Sequence, residues 1–248
     1  MGMPITIEIS DKDVHKESAD HSISLVFDYF KYVDDKFSTY KDTSEISAIN
    51  NGTLSLENSS DDMKLIFALS EETKKLSDGY FEITKLDGKY DPSGIVKGWA
   101  IYNSSEILKK NGCKNFYVDL GGDIQTFGKN EKGENWRVGI RDPFNKDGKK
   151  VVKIVSSENL AMATSGTYLR GQHIYNPKKK TQNETDIVSL SVIGPNIYEA
   201  DRFATAAFAM GKEGIMFIEN LSGFEGYMID IKGIAIETSG FNKYVQND

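Results

Sequence analysis

The order in which hydrophobic patterns follow one another limits the folds that this chain can adopt. Apolar residues recur with helical spacing in much of 19–111, alternate with polar residues in short runs over 116–192, and return to helical spacing from Ile197. Early helices, a central group of strands and a late helical insertion favour an α+β fold, with helices flanking mixed or antiparallel sheets. No repeat or linker interrupts the sequence, so we expect residues 1–248 to form a single domain.

Turn and capping residues set the bounds of the predicted elements. Helices are predicted over about 19–34, 60–76, 93–111, 197–210 and 212–221. Strands are predicted over 5–9, 116–127, 136–141, 151–155, 161–164, 187–192, 226–231 and 233–237. The polar stretch 38–60 is predicted to be irregular, with a short turn near 44–49.

Charge and cysteine content argue against several classes of protein. The formal net charge of −7 disfavours a nucleic-acid or anionic-membrane partner, because such partners are bound by basic surfaces. The single cysteine, Cys113, rules out an internal disulfide and fits a reducing compartment. No apolar run reaches the roughly 20 residues of a membrane span. The first residues also lack the pattern of a signal peptide, and the myristoylation-like spacing that ends at Thr6 overlaps a strand pattern. We therefore expect a cytoplasmic protein.

The segment EADRFATAAFAMG (199–211) combines a carboxylate and a hydroxyl on one predicted helix face. Asp201 and Thr205 lie four residues apart, and both offer hard oxygen ligands that suit Mg²⁺. An ordinary helix start, with Asp201 near the positive end of the dipole, explains the same pattern. Since the helix is rich in Ala, Phe and Met, we expect it to be buried and expect Asp201 to need a partner there.

Two glycine-containing segments are further candidates for ligand contact. In DPSGIVKGWA (91–100), Gly94 lies at a helix start whose free N–H groups could face a phosphate, and Lys97 lies one turn later. In VDLGGDIQTFG (118–128), a glycine pair is predicted to form a bulge inside a strand, with Asp123 directed toward a ligand. A capped helix and a plain bulge explain these two segments equally well.

The segment LAMATSGTYLRGQHIYNP (160–177) contains His173. The other two histidines, His15 and His21, lie near the N-terminus, which disfavours a metal site built from several histidines. A packed histidine in a hairpin and a general base are both compatible with the sequence, because imidazole titrates near neutrality.

Taken together, seven segments in chain order resemble the ApbE family of FAD:protein FMN transferases. They are FSTYKDTSEISAIN, DGYFEI, DPSGIVKGWA, VDLGGDI, WRVGIRDP, LAMATSGTY with HIYNP, and ADRFATAAFAMG. The resemblance covers nearly the whole chain and implies an ApbE-like fold related to the T-fold. It also implies an enzyme that uses Mg²⁺ to split the pyrophosphate of FAD. Such an enzyme transfers the FMN half to a threonine or serine hydroxyl of a target protein and releases AMP.

The resemblance also implies roles for individual residues. It places Asp201, Thr205 and the Gly94 carbonyl around the magnesium ion, and it makes His173 the base that activates the incoming hydroxyl. Both Asp201 and His173 are then catalytic. The implied FAD-binding residues are Tyr40, Ser44, Glu45, Gly94, Lys97, Asp123 and the turn Thr164-Ser165-Gly166.

Two other functions would use the same residues. With water as the acceptor, the enzyme would be an FAD pyrophosphatase that releases FMN and AMP. Without chemistry, the chain would be an FAD-binding protein. The transferase and the pyrophosphatase share metal, pocket and leaving group, so the sequence favours the transferase only through the resemblance.

Overall fold

A seven-stranded sheet forms the centre of the computed structural model, which describes residues 3–145, 150–167, 176–178 and 185–246. Its spatial order is β1-β2-β3-β6-β7-β8-β9, and every pairing within it is antiparallel. The strands are β1 (Ile5–Ile9), β2 (Phe116–Leu120), β3 (Asp123–Phe127), β6 (Ala161–Gly166), β7 (Ile187–Gly194), β8 (Glu225–Asp230) and β9 (Ala235–Glu237). A second, two-stranded antiparallel sheet consists of β4 (Arg137–Arg141) and β5 (Val151–Ser156).

The helices of the described part of the chain pack beside this sheet. They are α1 (Lys16–Phe37), α2 (Glu45–Asn50), α3 (Asp61–Leu76), α4 (Ser93–Lys110), α5 (Ile197–Met210) and α6 (Gly214–Glu219). Side chains cap three of them: Ser44 accepts the N–H of Ser47, Ser60 that of Met63, and Asn196 that of Glu199. Within the ranges described, none of these helices is both long and apolar enough to cross a bilayer.

Both faces of the large sheet are buried, because its strands alternate between two apolar clusters. On one face, residues such as Val118, Ala163 and Leu190 pack against α1, α4 and α5. On the other face, Ile124 and Met162 pack with residues of the β4–β5 sheet and of the C-terminal segment. The predicted α+β fold with flanking helices is confirmed, and the sheets are antiparallel rather than mixed.

Several predicted elements differ from the structure. The predicted strand 116–127 is wrong as a single strand, since Gly121 and Gly122 have φ values of 63° and 97° and form the two-residue turn of the β2–β3 hairpin. The predicted turn Thr164-Ser165-Gly166 instead lies within β6, where β7 pairs with it. The predicted turn near 44–49 largely coincides with the short helix α2, and the predicted helix 212–221 is a 3-10 turn (Gly211–Glu213) that continues directly into α6.

Two glycines allow α4 to approach α5 closely. Gly94 and Gly98 lie one turn apart and so share a face of α4. A Cβ added at Gly98 would lie 2.6 Å from Asp201 Cβ and 2.7 Å from the Ile197 carbonyl oxygen. At Gly94 it would lie 3.0 Å from Thr205 Cγ2. The contact between these helices therefore requires the absence of a side chain at Gly98.

The substitution Gly98→Ala tests this packing. Alanine favours a helix over glycine by about 1 kcal/mol, but here its methyl group would overlap the backbone of α5. We expect the free energy of unfolding to fall by about 1–3 kcal/mol, as measured by denaturant titration. The control Lys110→Ala, at an exposed position of the same helix, should change it by less than about 0.5 kcal/mol. Equal or greater stability of Gly98→Ala would contradict the packing argument.

Candidate active site

Asp201 enters the apolar helix α5 with a main-chain partner on α4. Its carboxyl is 3% exposed, and its Oδ2 accepts the N–H of Gly98 at 2.7 Å. In a regular helix that N–H would bond to the carbonyl of Gly94, four residues earlier. The buried carboxylate that the sequence predicts is therefore present, and the main chain of the neighbouring helix supplies one of its partners.

Lys97 and Asp123 complete a cluster of buried charges with Asp201. Lys97 Nζ lies 2.6 Å from Asp123 Oδ2 and 3.9 Å from Asp201 Oδ1, and the lysine side chain is 15% exposed. Asp123 is 1% exposed, and its Oδ1 accepts the N–H of Thr164 at 3.0 Å. Three residues from α4, β3 and α5 that were predicted separately thus lie together. We call them the Lys97–Asp123–Asp201 cluster.

The cluster brings two carboxyl groups to one ammonium, so not every charge is paired when both carboxyls are ionised. Burial is the main cause that raises the pKa of Asp201, to about 8; Lys97 lowers that pKa, and the nearby Asp123 raises it again. A second positive charge at Asp201 would stabilise its ionised form, since an unpaired buried carboxylate is costly. The electrostatics therefore favour a cation at this point.

Thr205 and Gly94 lie one helical turn from the Asp201–Gly98 contact. Thr205 Oγ1 donates to the Gly94 carbonyl oxygen at 3.3 Å, so a hydroxyl and a carbonyl oxygen meet where the two helices cross. Within the described residues, no three His, Cys, Asp or Glu side chains could hold a metal. A hard ion bound here would therefore need the hydroxyl and carbonyl oxygens as well as Asp201, and this donor set fits Mg²⁺.

The residues predicted from the 37–52 segment have different surroundings. Tyr40 is 98% exposed. The Ser44 hydroxyl donates to Ser38 O at 2.7 Å and caps α2. Glu45 accepts the N–H and the hydroxyl of Ser60, and it pairs with Lys36 at 2.7 Å. The side chains of Ser44 and Glu45 are thus engaged in joining α1, α2 and α3.

Glu45 is accordingly held in its ionised form. Burial alone would raise its pKa, but Lys36 and the two Ser60 donors outweigh burial and lower it. The end of this segment approaches α4, because the Asn50 side chain bonds both the N–H and the carbonyl of Tyr90. Any contact of Glu45 with a ligand would have to compete with its bonds to Lys36 and Ser60.

The trio Thr164-Ser165-Gly166 spans both faces of the sheet. The Thr164 N–H bonds Asp123, whereas its hydroxyl lies 2.8 Å from Ser191 Oγ, on the face that Met162 also occupies. Ser165 is buried. Beside Thr164 on that second face lies a cavity of about 140 Å³. Residues lining it include Tyr117, Asp119, Ile124, Arg137, Arg141 and Met162.

His173, the predicted catalytic base, lies outside the residues that the structure describes. The nearest described residue after it is Asn176, and Lys178 follows. Lys178 Nζ lies 2.6 Å from Asp78 Oδ2 and 4.4 Å from the centre of the Tyr80 ring. The next residue, Phe81, packs close to Gly94: a Cβ added at Gly94 would lie 3.3 Å from the Phe81 ring. The chain that follows His173 therefore returns beside the segment that packs on the start of α4.

Two residues that organise the site were not predicted from the sequence. Gly98 supplies the N–H that Asp201 accepts, and its four-residue spacing from Gly94 was the available signal. Gln125 accepts the N–H of Ile197 at 3.1 Å and so ties β3 to the first turn of α5. No sequence pattern indicates that second contact, because it joins residues 72 positions apart.

Several proteins similar to this chain share one name. A relative from Vibrio cholerae named FAD:protein FMN transferase is 30% identical over 165 residues, which are 63% of this chain and 48% of the relative. One of the same name from Treponema pallidum is 32% identical over 140 residues, 50% of this chain and 38% of the relative. The aligned part thus spans about half, or less, of the length of these curated relatives.

Solved structures match over nearly the whole chain. The flavin transferase ApbE from Vibrio cholerae superposes with a TM-score of 0.85 at 22% identity, covering 98% of this chain and 96% of that one. The ApbE protein from Thermotoga maritima gives a TM-score of 0.84 at 20% identity, covering 99% and 97%. At such identities these matches establish a common fold.

The sequence model of the ApbE family matches residues 1–87 and 85–228, which is most of the chain and includes the Lys97–Asp123–Asp201 cluster. This match agrees with the shared fold and with the order of the seven motifs. The chain belongs to the ApbE family.

Proposed function

We propose that this protein is a Mg²⁺-dependent FAD:protein FMN transferase that joins FMN to a threonine or serine hydroxyl of a target protein and releases AMP. The observation that carries the proposal is the Lys97–Asp123–Asp201 cluster, which brings two carboxyl groups and one ammonium together beside the Gly94 carbonyl and the Thr205 hydroxyl. The names of the relatives support the same activity. In this proposal, residues 1–248 act as one domain, and the buried thiol of Cys113 suits a reducing compartment such as the cytoplasm.

The oxygen donors at the crossing of α4 and α5 would hold the magnesium ion. Asp201, Thr205 and the Gly94 carbonyl are the residues proposed for this role. Bound there, the ion would neutralise phosphate charge and favour departure of AMP. Lys97 brings a positive charge to the same region, where it can face a phosphate oxygen.

The transfer itself needs a base and a leaving group. The acceptor hydroxyl oxygen forms a bond to the phosphorus of the FMN half, the bond from that phosphorus to AMP breaks, and the hydroxyl proton passes to His173. We propose His173 for this role because imidazole accepts a proton near neutral pH. The contact of Lys178 with Asp78 and Tyr80 supports this role. It places residue 178, which comes after His173 in the chain, beside the segment that packs on Gly94.

Tyr40, Ser165 and Gly166 remain proposed FAD contacts. The exposed ring of Tyr40 offers a surface on which a planar group can stack. We retain Ser44, Glu45, Asp123 and Thr164 as residues that shape the pocket, because their polar groups are engaged with other parts of the chain.

Incubation with FAD and Mg²⁺, with and without a flavin-accepting domain, distinguishes the transferase from the hydrolase. We expect fluorescent flavin to remain on the acceptor after denaturing electrophoresis, with AMP formed in equal amount. Without acceptor, AMP release should be slow. Release of AMP at the full rate without acceptor, with no flavin on the protein, would establish the pyrophosphatase instead. Tight FAD binding that Mg²⁺ does not affect, without turnover, would indicate a binding protein.

The substitution Asp201→Asn tests the proposed metal ligand. It keeps the size of the side chain and removes its charge, so we expect the transfer rate at millimolar Mg²⁺ to fall by at least about 100-fold. Asp230→Asn is a matched control, because Asp230 is also a buried carboxylate paired with a lysine, Lys212. That control should transfer flavin normally. Normal activity of Asp201→Asn would remove Asp201 from the metal site.

The substitution His173→Ala tests the proposed base. We expect FAD affinity to stay within about threefold, since the imidazole acts on the acceptor hydroxyl, and the transfer rate to fall by about 10²–10⁴-fold. Fluorescence titration of FAD and single-turnover transfer separate these two effects. Unchanged transfer by a folded variant would assign the base to another residue.

A further inference from the structure

We propose that Asp123 is a positioning residue that holds the Lys97 ammonium away from Asp201, so that the Asp201 carboxylate stays available to a divalent cation. This inference rests on the proposed role of Asp201 as a metal ligand. It gives Asp123 a role distinct from the contact with FAD that the sequence predicts.

The geometry places one ammonium between two carboxylates at unequal distances. Lys97 Nζ is 2.6 Å from Asp123 Oδ2, within ion-pair contact, and 3.9 Å from Asp201 Oδ1. Both carboxylates are buried, so little water screens either attraction. Lys97 is therefore committed to Asp123 while remaining within reach of Asp201.

Asp123 is fixed on the side away from Lys97. It is the first residue of β3, directly after the Gly121-Gly122 turn, and its Oδ1 accepts the main-chain N–H of Thr164 on β6. Because a strand backbone supplies this donor, the Asp123 carboxylate is tied to the sheet. The fixed Asp123 carboxylate therefore sets the position of the flexible Lys97 side chain.

The oxygen of Asp201 that lies within reach of Lys97 is not the one that accepts the Gly98 N–H. Oδ2 of Asp201 is already bonded by the N–H of Gly98, whereas Oδ1 is the atom 3.9 Å from Lys97. An ammonium in contact with Oδ1 would compete with a divalent ion for the same charge. Asp123 prevents this competition by binding the ammonium first.

Replacement of Asp123 by asparagine should reverse this arrangement. The amide oxygen can still accept the Thr164 N–H, but its nitrogen then faces Lys97 and offers no negative charge. The Asp201 carboxylate, 3.9 Å from Lys97 Nζ, then exerts the stronger attraction of the two. We therefore expect Lys97 to move into contact with Asp201, where a divalent ion must displace it.

A simpler explanation is that Asp123 attracts a cation only through its own charge. That effect would persist without Lys97, whereas the positioning effect would not. A double-mutant cycle that combines Asp123→Asn with Lys97→Met therefore separates the two explanations.

The measurement is Mn²⁺ binding to the full chain without FAD, followed by the electron paramagnetic resonance signal of the free ion. We expect Asp123→Asn to weaken Mn²⁺ binding by about tenfold in the wild-type background and by no more than about twofold in the Lys97→Met background. Equal weakening in both backgrounds, or none in the first, would overturn the proposal. In crystals of metal-free Asp123→Asn, the distance from Lys97 Nζ to Asp201 Oδ1 should shorten to direct contact, and an unchanged distance would also overturn it.

Three controls make the result specific. Asp201→Asn should abolish the same Mn²⁺ binding, and Asp230→Asn should leave it unchanged. Thermal unfolding identifies variants that do not fold, and Asp123→Ser repeats the test if the asparagine variant unfolds, because it removes the same carboxylate with a smaller side chain. Wild-type protein that binds no Mn²⁺ through Asp201 would overturn this inference. Mn²⁺ binding through Asp201 without flavin transfer would overturn the proposed function alone and would leave the role of Asp123 intact.

Discussion

The hydrogen bond from the Gly98 N–H to Asp201 Oδ2 is the contact on which the candidate site depends. It requires α4 and α5 to lie so close that no Cβ fits at Gly98. That closeness in turn brings the Gly94 carbonyl to Thr205 and directs Lys97 toward the carboxylates of two other elements. The distance between α4 and α5 therefore determines both how the helices pack and where the possible ligand atoms lie.

The large sheet contributes to this arrangement from beneath the helices. Asp123 opens β3 after a tight turn, and Gln125, two residues later on the same face, accepts the first N–H of α5. One strand thus fixes both a charge of the cluster and the start of the helix that carries Asp201. These paired contacts offset part of the loss of favourable hydration of the cluster, and a cation would stabilise the ionised form of Asp201.

Much of the fold could be predicted from the sequence. The bounds of α5 were predicted without error because Asn196 caps it and glycine follows it, and most strands begin and end within two residues of their predicted limits. The β2–β3 hairpin was missed because the glycine pair was interpreted as a bulge, although two adjacent glycines are also typical of a hairpin turn.

The candidate site was predictable in its members but not in its contacts. Burial of Asp201 followed from the apolar helix around it, and so did its need for a partner. The identity of that partner did not follow, because a main-chain N–H has no sequence signature. The engagement of Glu45 by Lys36 and Ser60 was also beyond reach, since it depends on how α2 and α3 meet in space.

The crossing of α4 and α5 has a consequence for how this site can vary. Two of its polar groups, the Gly98 N–H and the Gly94 carbonyl, belong to the polypeptide itself. Apart from proline at position 98, which lacks the N–H, no substitution deletes them; otherwise they are lost only when one helix slides, rotates or bends relative to its neighbour. Mutations that change the distance between α4 and α5 should therefore alter ion binding as much as mutations of Asp123 or Asp201.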